Sequence, residues 1–83
     1  MYFVYLMECS DKSIYTGITT DVQRRFSEHK KKKGGHYTGS RKVVRILHTE
    51  QYATRSEALK REAEIKGWNR QKKLNLIKLK VDD

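Results

Sequence analysis

Tyr2 to Met7 is an unbroken apolar and aromatic run, too short for a helix and rich in the Tyr, Phe and Val that strands favour. It predicts a strand covered on both faces. Turn residues Ser10, Asp11 and Lys12 follow, and from Ser13 to Ile18 the pattern alternates, with Ile14, Thr16 and Ile18 on one side and Ser13, Tyr15 and Gly17 on the other. This predicts an antiparallel hairpin. Thr20-x-x-Gln23 has the form of a capping box, and Val22, Phe26 and His29 recur at helical spacing. A helix should therefore begin near Asp21 and end in the Lys30 to Lys33 run before Gly34-Gly35. His36 to Lys42 lacks any period and predicts a loop into a third strand over the β-branched stretch Val43 to Leu47.

Thr54-x-x-Glu57 is a second capping box, followed by Ala58, Leu59, Glu62, Ala63 and Ile65 at helical spacing, with Gly67 as a stop. Asn69 can cap a last helix carrying Leu74, Ile77 and Val81. The order ββαβαα predicts an α+β fold, a three-stranded antiparallel sheet flanked by helices. No internal repeat or Pro-rich linker divides it, and 83 residues leave no surface for a second core, so residues 1–83 are expected to form one domain.

Charge changes the picture. Nineteen Lys and Arg against ten Asp and Glu give +9, and 35% of residues are charged against about 25% in an average domain. Such a field attracts polyanions, so nucleic acid is the expected partner. An anionic membrane would attract it too, but there is no 18-residue apolar run and no signal-peptide pattern, and a soluble cytoplasmic protein is expected. The lone Cys9 excludes an internal disulfide and a Cys-rich zinc site. The basic residues concentrate in two places. From Gln23 to Arg45 there are nine Lys or Arg and one acid, and from Asn69 to Lys80 five more with no acid. Lys30, Lys31, Lys32, Lys33, Arg41 and Lys42 are the candidates for sequence-independent phosphate contacts.

Several residues could carry chemistry. Glu62 falls within the apolar stripe of its helix, with Ala58 and Leu59 a turn before it and Ile65 a turn after. An ionised carboxylate there needs a metal ion, an Arg or Lys partner, or a pocket edge open to water. Arg25 and His29, four apart, share a face beside Val22 and Phe26 and suit a phosphate and a proton respectively. A solvated helix flank is their plainer role. Tyr5 and Tyr15 meet on one face only if the hairpin loop has three residues, which places Tyr5 opposite Gly17 and Tyr15 opposite Met7; a two-residue loop separates them. They could equally be two core aromatics.

Taken together these positions resemble the GIY-YIG nuclease superfamily, in its small stand-alone bacterial branch, from Tyr2 to about Lys73. Phe3-Val4-Tyr5 matches the first motif at the tyrosine, and Tyr15-Thr16-Gly17 the second at Tyr15 and Gly17. Arg25, His29 and Glu62 match the family's arginine, histidine and metal-binding glutamate, with Lys66 after the last in the pattern Arg-Glu-x-x-x-Lys. His36-Tyr37-Thr38 and Arg41 resemble the basic connecting loop of the small members. The resemblance implies a DNA endonuclease, a phosphodiester hydrolase of repair or processing, with catalytic Tyr5, Tyr15, Arg25, His29 and Glu62. It implies one Mg²⁺ or Mn²⁺ on Glu62, and Lys30 to Lys33, Thr38, Arg41, Lys42 and Lys66 on the nucleic acid. The alternatives are a non-catalytic module binding damaged DNA or structured RNA on the same fold, and an accessory protein recruited by other repair proteins.

Overall fold

The computed structural model describes residues 1–31 and 42–81. Three strands, β1 (Tyr2–Cys9), β2 (Ile14–Thr19) and β3 (Val43–Tyr52), form one antiparallel sheet in the order β2-β1-β3. The helices α1 (Val22–Lys31), α2 (Arg55–Lys66) and α3 (Arg70–Val81) complete the predicted order ββαβαα. The central position of β1 explains its unbroken apolar run: Val4, Tyr5, Leu6 and Met7 are all buried, from alternate sides.

The hairpin takes the three-residue loop. Cys9 N–H donates to the Ser13 carbonyl at 2.9 Å, and Lys12 N–H to the Cys9 carbonyl at 2.9 Å. Lys12 turns the chain with φ at 74°, the left-handed position of a bulged three-residue hairpin. The register therefore pairs Tyr5 with Gly17 and Met7 with Tyr15, and both tyrosines stand on one face. The other face carries Val4 and Leu6, which pack with Ala58 and Ile65 of α2, joined by Ile14, Ile18, Trp68, Leu76 and Ile77. α2 and α3 thus cover the Val4 and Leu6 face, and α1 lies on the tyrosine face.

Local chemistry fixes the helix ends. α2 begins with a complete capping box, Glu57 N–H donating to Thr54 Oγ1 at 3.2 Å and Thr54 N–H to Glu57 Oε1 at 3.3 Å. α3 is capped by Asn69, whose Oδ1 accepts from Lys72 N–H at 2.9 Å. The cap of α1 differs from expectation: it is Asp21, whose Oδ1 accepts from Arg24 N–H at 3.0 Å, so Thr20 lies one residue outside the helix. The third strand also runs well past Leu47 to Tyr52, because β1 offers it partners from Cys9 back to Tyr2, with irregularities at Leu6/Met7 and Glu8/Cys9. Periodicity places Leu59 in the α2 stripe, yet it is exposed; Ala58 and Ile65 alone are fully buried there. On α3, Leu76 with Ile77 reaches the core rather than Leu74. Among the described residues, no helix is long and apolar enough to cross a membrane.

Candidate active site

Gly17 makes the site possible. A Cβ on it would lie 2.5 Å from Tyr5 Oη and 2.7 Å from Tyr5 Cζ, so the Tyr5 phenol rests directly on the backbone of the edge strand β2. Any side chain at position 17 would occupy that space. Tyr15, one residue pair along the sheet, brings its ring to 6.0 Å from Tyr5 at a tilt of 41°. From α1, His29 meets the Tyr15 ring edge-on at 5.1 Å and 69°. Arg25, one turn earlier on the helix, lies close enough to the Tyr5 phenol to bear on its ionisation and donates to Glu28 Oε1 at 3.2 Å. Four of the five predicted catalytic residues therefore form one contiguous cluster, assembled from a hairpin and the helix that follows it.

Electrostatics assigns these groups different states. Burial pushes the Tyr5 phenol above its ordinary value; Arg25 pulls it down and the neighbouring Tyr15 pushes it further up, leaving a net rise. Lowering by Arg25 would be needed for Tyr5 to act as a base near neutral pH, and burial outweighs it. Tyr5 is thus a neutral phenol that can donate its own proton in a hydrogen bond. It in turn reinforces the Arg25 guanidinium as a permanent cation. The cluster offers one fixed positive charge, two phenols and an imidazole beside the free edge of the sheet.

Glu62 arrives from the other side. Its helix packs Ala58 and Ile65 against Val4 and Leu6, the face opposite Tyr5, so α1 and α2 lie on opposite sides of the sheet. α2 also packs on β2, the edge strand that the Tyr5 phenol covers. Its side chain is 17% exposed, and Oε2 pairs with Lys66 Nζ at 3.2 Å. Of the roles weighed for this carboxylate, a lysine partner is present. Lys66 is 55% exposed, however, and a partner held so loosely can be displaced by a metal ion. Among the described residues there is no group of three or more His, Cys, Asp or Glu that could hold a metal. A single carboxylate completed by waters and substrate oxygens is how Mg²⁺ is commonly bound, so Glu62 fits that ion without further protein ligands.

The expected phosphate contacts are only partly placed. Lys30 sits on the exposed end of α1 with its ammonium 5.5 Å from the Phe26 ring centre, Lys31 closes the helix, and Lys42 is exposed at the foot of β3. Lys66 is engaged with Glu62. Lys32, Lys33, Thr38 and Arg41 lie outside the described residues.

A polar network that sequence reasoning did not single out ties β3 to α2. Arg61 grips Glu50 with two arms, Nε to Oε1 at 2.8 Å and Nη2 to Oε2 at 3.1 Å, while His48 Nε2 at 2.8 Å and the Tyr52 hydroxyl at 2.7 Å also reach that carboxylate. Arg61 further lies over the Trp68 ring at 5.1 Å. Burial alone would raise the Glu50 carboxyl, but Arg61, His48 and Tyr52 together hold it down at about 2. The signal was the alternation His48, Glu50, Tyr52 beyond the apparent end of the strand. Because Arg61 precedes Glu62, this clamp fixes the rotation of α2 and so the direction in which Glu62 emerges.

Comparison with known proteins identifies the family. The model of the GIY-YIG catalytic domain matches residues 1–75. A UPF0213 protein of Staphylococcus aureus is 52% identical over 77 residues, covering 93% of this chain and 94% of that one. The solution structure of a UPF0213 protein from Bacillus halodurans is similar at 43% identity and a TM-score of 0.63, over 96% of this chain and 86% of that one. A protein of E. faecalis is similar at 37% identity with a TM-score of 0.63, over 99% and 88%. A match spanning the tyrosine pair, the arginine, the histidine and the glutamate, with relatives along nearly the whole length, carries a nuclease-type function at the level of the family, and the chain belongs to the GIY-YIG catalytic-domain family.

Proposed function

We propose that this protein hydrolyses phosphodiester bonds in DNA, as an endonuclease of repair or processing, at the β2 edge of its sheet. The observation that carries the proposal is the Tyr5 phenol lying over Gly17 beside Tyr15 and Arg25. Glycine at position 17 is what lets the Tyr5 hydroxyl reach the edge strand beside Tyr15 and Arg25, where hydroxyls and a guanidinium together suit a small anionic group. Arg25 binds a non-bridging phosphate oxygen and stabilises the charge that grows there as the phosphorus becomes five-coordinate. Tyr5, held neutral by burial, orients the attacking water by hydrogen bonding. Tyr15 shares that water, and His29 against its ring accepts the water's proton as the water oxygen bonds to phosphorus; the P–O bond to the leaving nucleoside breaks, and that oxygen takes up a proton from His29 or solvent. Glu62 would hold one Mg²⁺ or Mn²⁺, which when bound supplies Lewis-acid polarisation and charge neutralisation at the phosphate.

One specific observation favours a second reading. The Glu62–Lys66 pair gives the glutamate a structural partner, which is what a nucleic-acid-binding module with no cleavage would retain. The two readings separate on single-stranded, nicked, flapped and branched DNA incubated with Mg²⁺ or Mn²⁺. The nuclease reading expects cleavage of at least one of these, and loss of that cleavage by about 10²-fold or more in Arg25→Ala, the size seen when one stabilising donor is removed. Binding to these DNAs with no cleavage of any would leave the binding module.

A further inference from the structure

Three segments far apart in sequence meet at the hairpin end of the sheet, and each brings exposed basic residues. The turn brings Lys12, the foot of β3 brings Lys42 and Arg45, and the first residue of α3 is Arg70. They are stitched to one another by named bonds. Ser10 N–H donates to the Lys42 carbonyl at 2.7 Å, Lys42 N–H donates to Ser10 Oγ at 3.3 Å, and Arg70 Nη1 donates to the Lys12 carbonyl at 2.5 Å. The Arg70 bond uses one arm of the guanidinium and leaves its other N–H donors for a second partner.

The conformation of Lys12 is a separate observation. With φ at 74° it occupies the left-handed region, which penalises a residue with a Cβ and which glycine or asparagine adopts without difficulty. Hairpins of this type take glycine there as a rule. A lysine at that position spends stability to hold an ammonium at the tip of the turn, and an outlier of that kind points to a task for the cation. The acids nearby are already committed. Glu8 Oε1 accepts from Arg45 Nε at 2.6 Å, and Asp11 Oδ1 accepts from Ser13 N–H at 3.0 Å and from Ser13 Oγ at 2.6 Å. The Glu8 carboxyl is held below the ordinary range first by that Arg45 bond, against its desolvation, and also by the charges of Arg45, Lys12 and Arg70.

We propose that Lys12, Lys42, Arg45 and Arg70 form one cationic strip across the hairpin end of the sheet that binds the phosphate backbone of duplex DNA, away from the reacting edge. The strip rests on the reading that this protein acts on DNA, and adds where it grips it. Cys9 lies four residues from Tyr5 along β1, about 13 Å at about 3.3 Å per residue. At about 3.4 Å of rise per nucleotide that is roughly four steps of duplex, so the strip engages phosphates well beyond the one between the tyrosines. An acidic protein surface or an anionic membrane would fit the charge, but the tip and α3 flank a DNA-cleaving edge, which favours the continuation of the same strand.

The test is binding of a fluorescein-labelled duplex to the full chain without divalent metal, from about 50 to 200 mM salt, where each lost phosphate contact lowers the log–log slope by about 0.9. Lys12→Gly and Arg70→Gln should each lower it by that amount, and Lys60→Gln, which removes an exposed cation of α2, should leave it unchanged. Lys12→Gly should also raise the melting temperature, because glycine relieves the left-handed backbone, so weaker binding cannot be ascribed to unfolding. Equal slopes for native, Lys12→Gly and Arg70→Gln on DNA that is still bound would overturn the strip and leave the DNA reading standing. An equal loss in Lys60→Gln would overturn it as well, in favour of a diffuse field. No duplex binding by the native chain, with or without capture by phosphatidylserine vesicles, would overturn the strip, and no binding of single-stranded or branched DNA either would remove the DNA reading with it.

Discussion

Among single residues, the site depends on what is missing at position 17. Gly17→Ala puts a Cβ 2.5 Å from the oxygen of a phenol that is itself 1% exposed, so the ring cannot simply swing into solvent. Overpacking of this kind should cost about 1–3 kcal/mol in urea unfolding, and displacement of Tyr5 should depress cleavage further than the stability loss explains. Tyr5 also has a pH signature. Its folded-state value is raised, so its contribution to stability is fully present below the unfolded value of about 10 and is lost as pH rises through the folded value. Unfolding free energies measured from about pH 9 to 11 should therefore fall more steeply for the native chain than for Tyr5→Phe; parallel curves would contradict the assignment of a neutral, buried phenol. The tyrosine pair was legible in the sequence only up to a choice of loop length. Lys12 settles that choice by adopting a left-handed conformation that nothing in the local sequence favours.

Among the elements, the capping residues, the period-two alternation of β2 and the apolar run of β1 were legible because each reflects local backbone chemistry. The tertiary interactions were not. β3 extends through His48, Glu50 and Tyr52 because those polar side chains are satisfied by Arg61 from another element, and Leu59 is exposed because α2 turns Ala58 and Ile65 to the sheet instead. Glu62 shows the limit most clearly: helical periodicity placed it correctly near the buried stripe, but only the three-dimensional layering shows that this stripe faces away from the tyrosines. The Glu50–Arg61 clamp leads to an acid-stability prediction. A carboxyl held at about 2 against an ordinary 4.5 contributes stability that is present above pH 4.5 and lost as pH falls towards 2. The full effect is on the order of 3 kcal/mol, because a tenfold change in proton affinity corresponds to about 1.36 kcal/mol. Glu50→Gln should be destabilised by about 1–3 kcal/mol at neutral pH, since Arg61 loses its two-armed partner but keeps Glu64 Oε1 at 2.9 Å, and should lose most of this acid dependence. An unchanged acid limb in Glu50→Gln would show that other carboxylates govern it.

In the molecule as a whole, a charge of +9 attracts polyanions, and the proposed function places a small polar cluster at a sheet edge to act on one. The charge was legible from composition alone; its joining of hairpin, β3 and α3 into one end of the sheet required the fold. Under the proposed function, cleavage turns on Glu62, whose helix packs on the face opposite the tyrosines. Glu62→Gln keeps the size of the side chain and removes its charge. The pair it breaks is to a lysine 55% exposed, worth about 0.2–0.5 kcal/mol for an i,i+4 contact, so the melting temperature should fall by no more than about 4 °C. DNA affinity without metal should be equal or slightly higher, because a negative charge facing phosphates has gone. Cleavage of the preferred DNA in Mg²⁺ is then the decisive measurement on this one variant: a nuclease working through Glu62 loses it while fold and binding persist, and cleavage at the native rate by Glu62→Gln would refute that role.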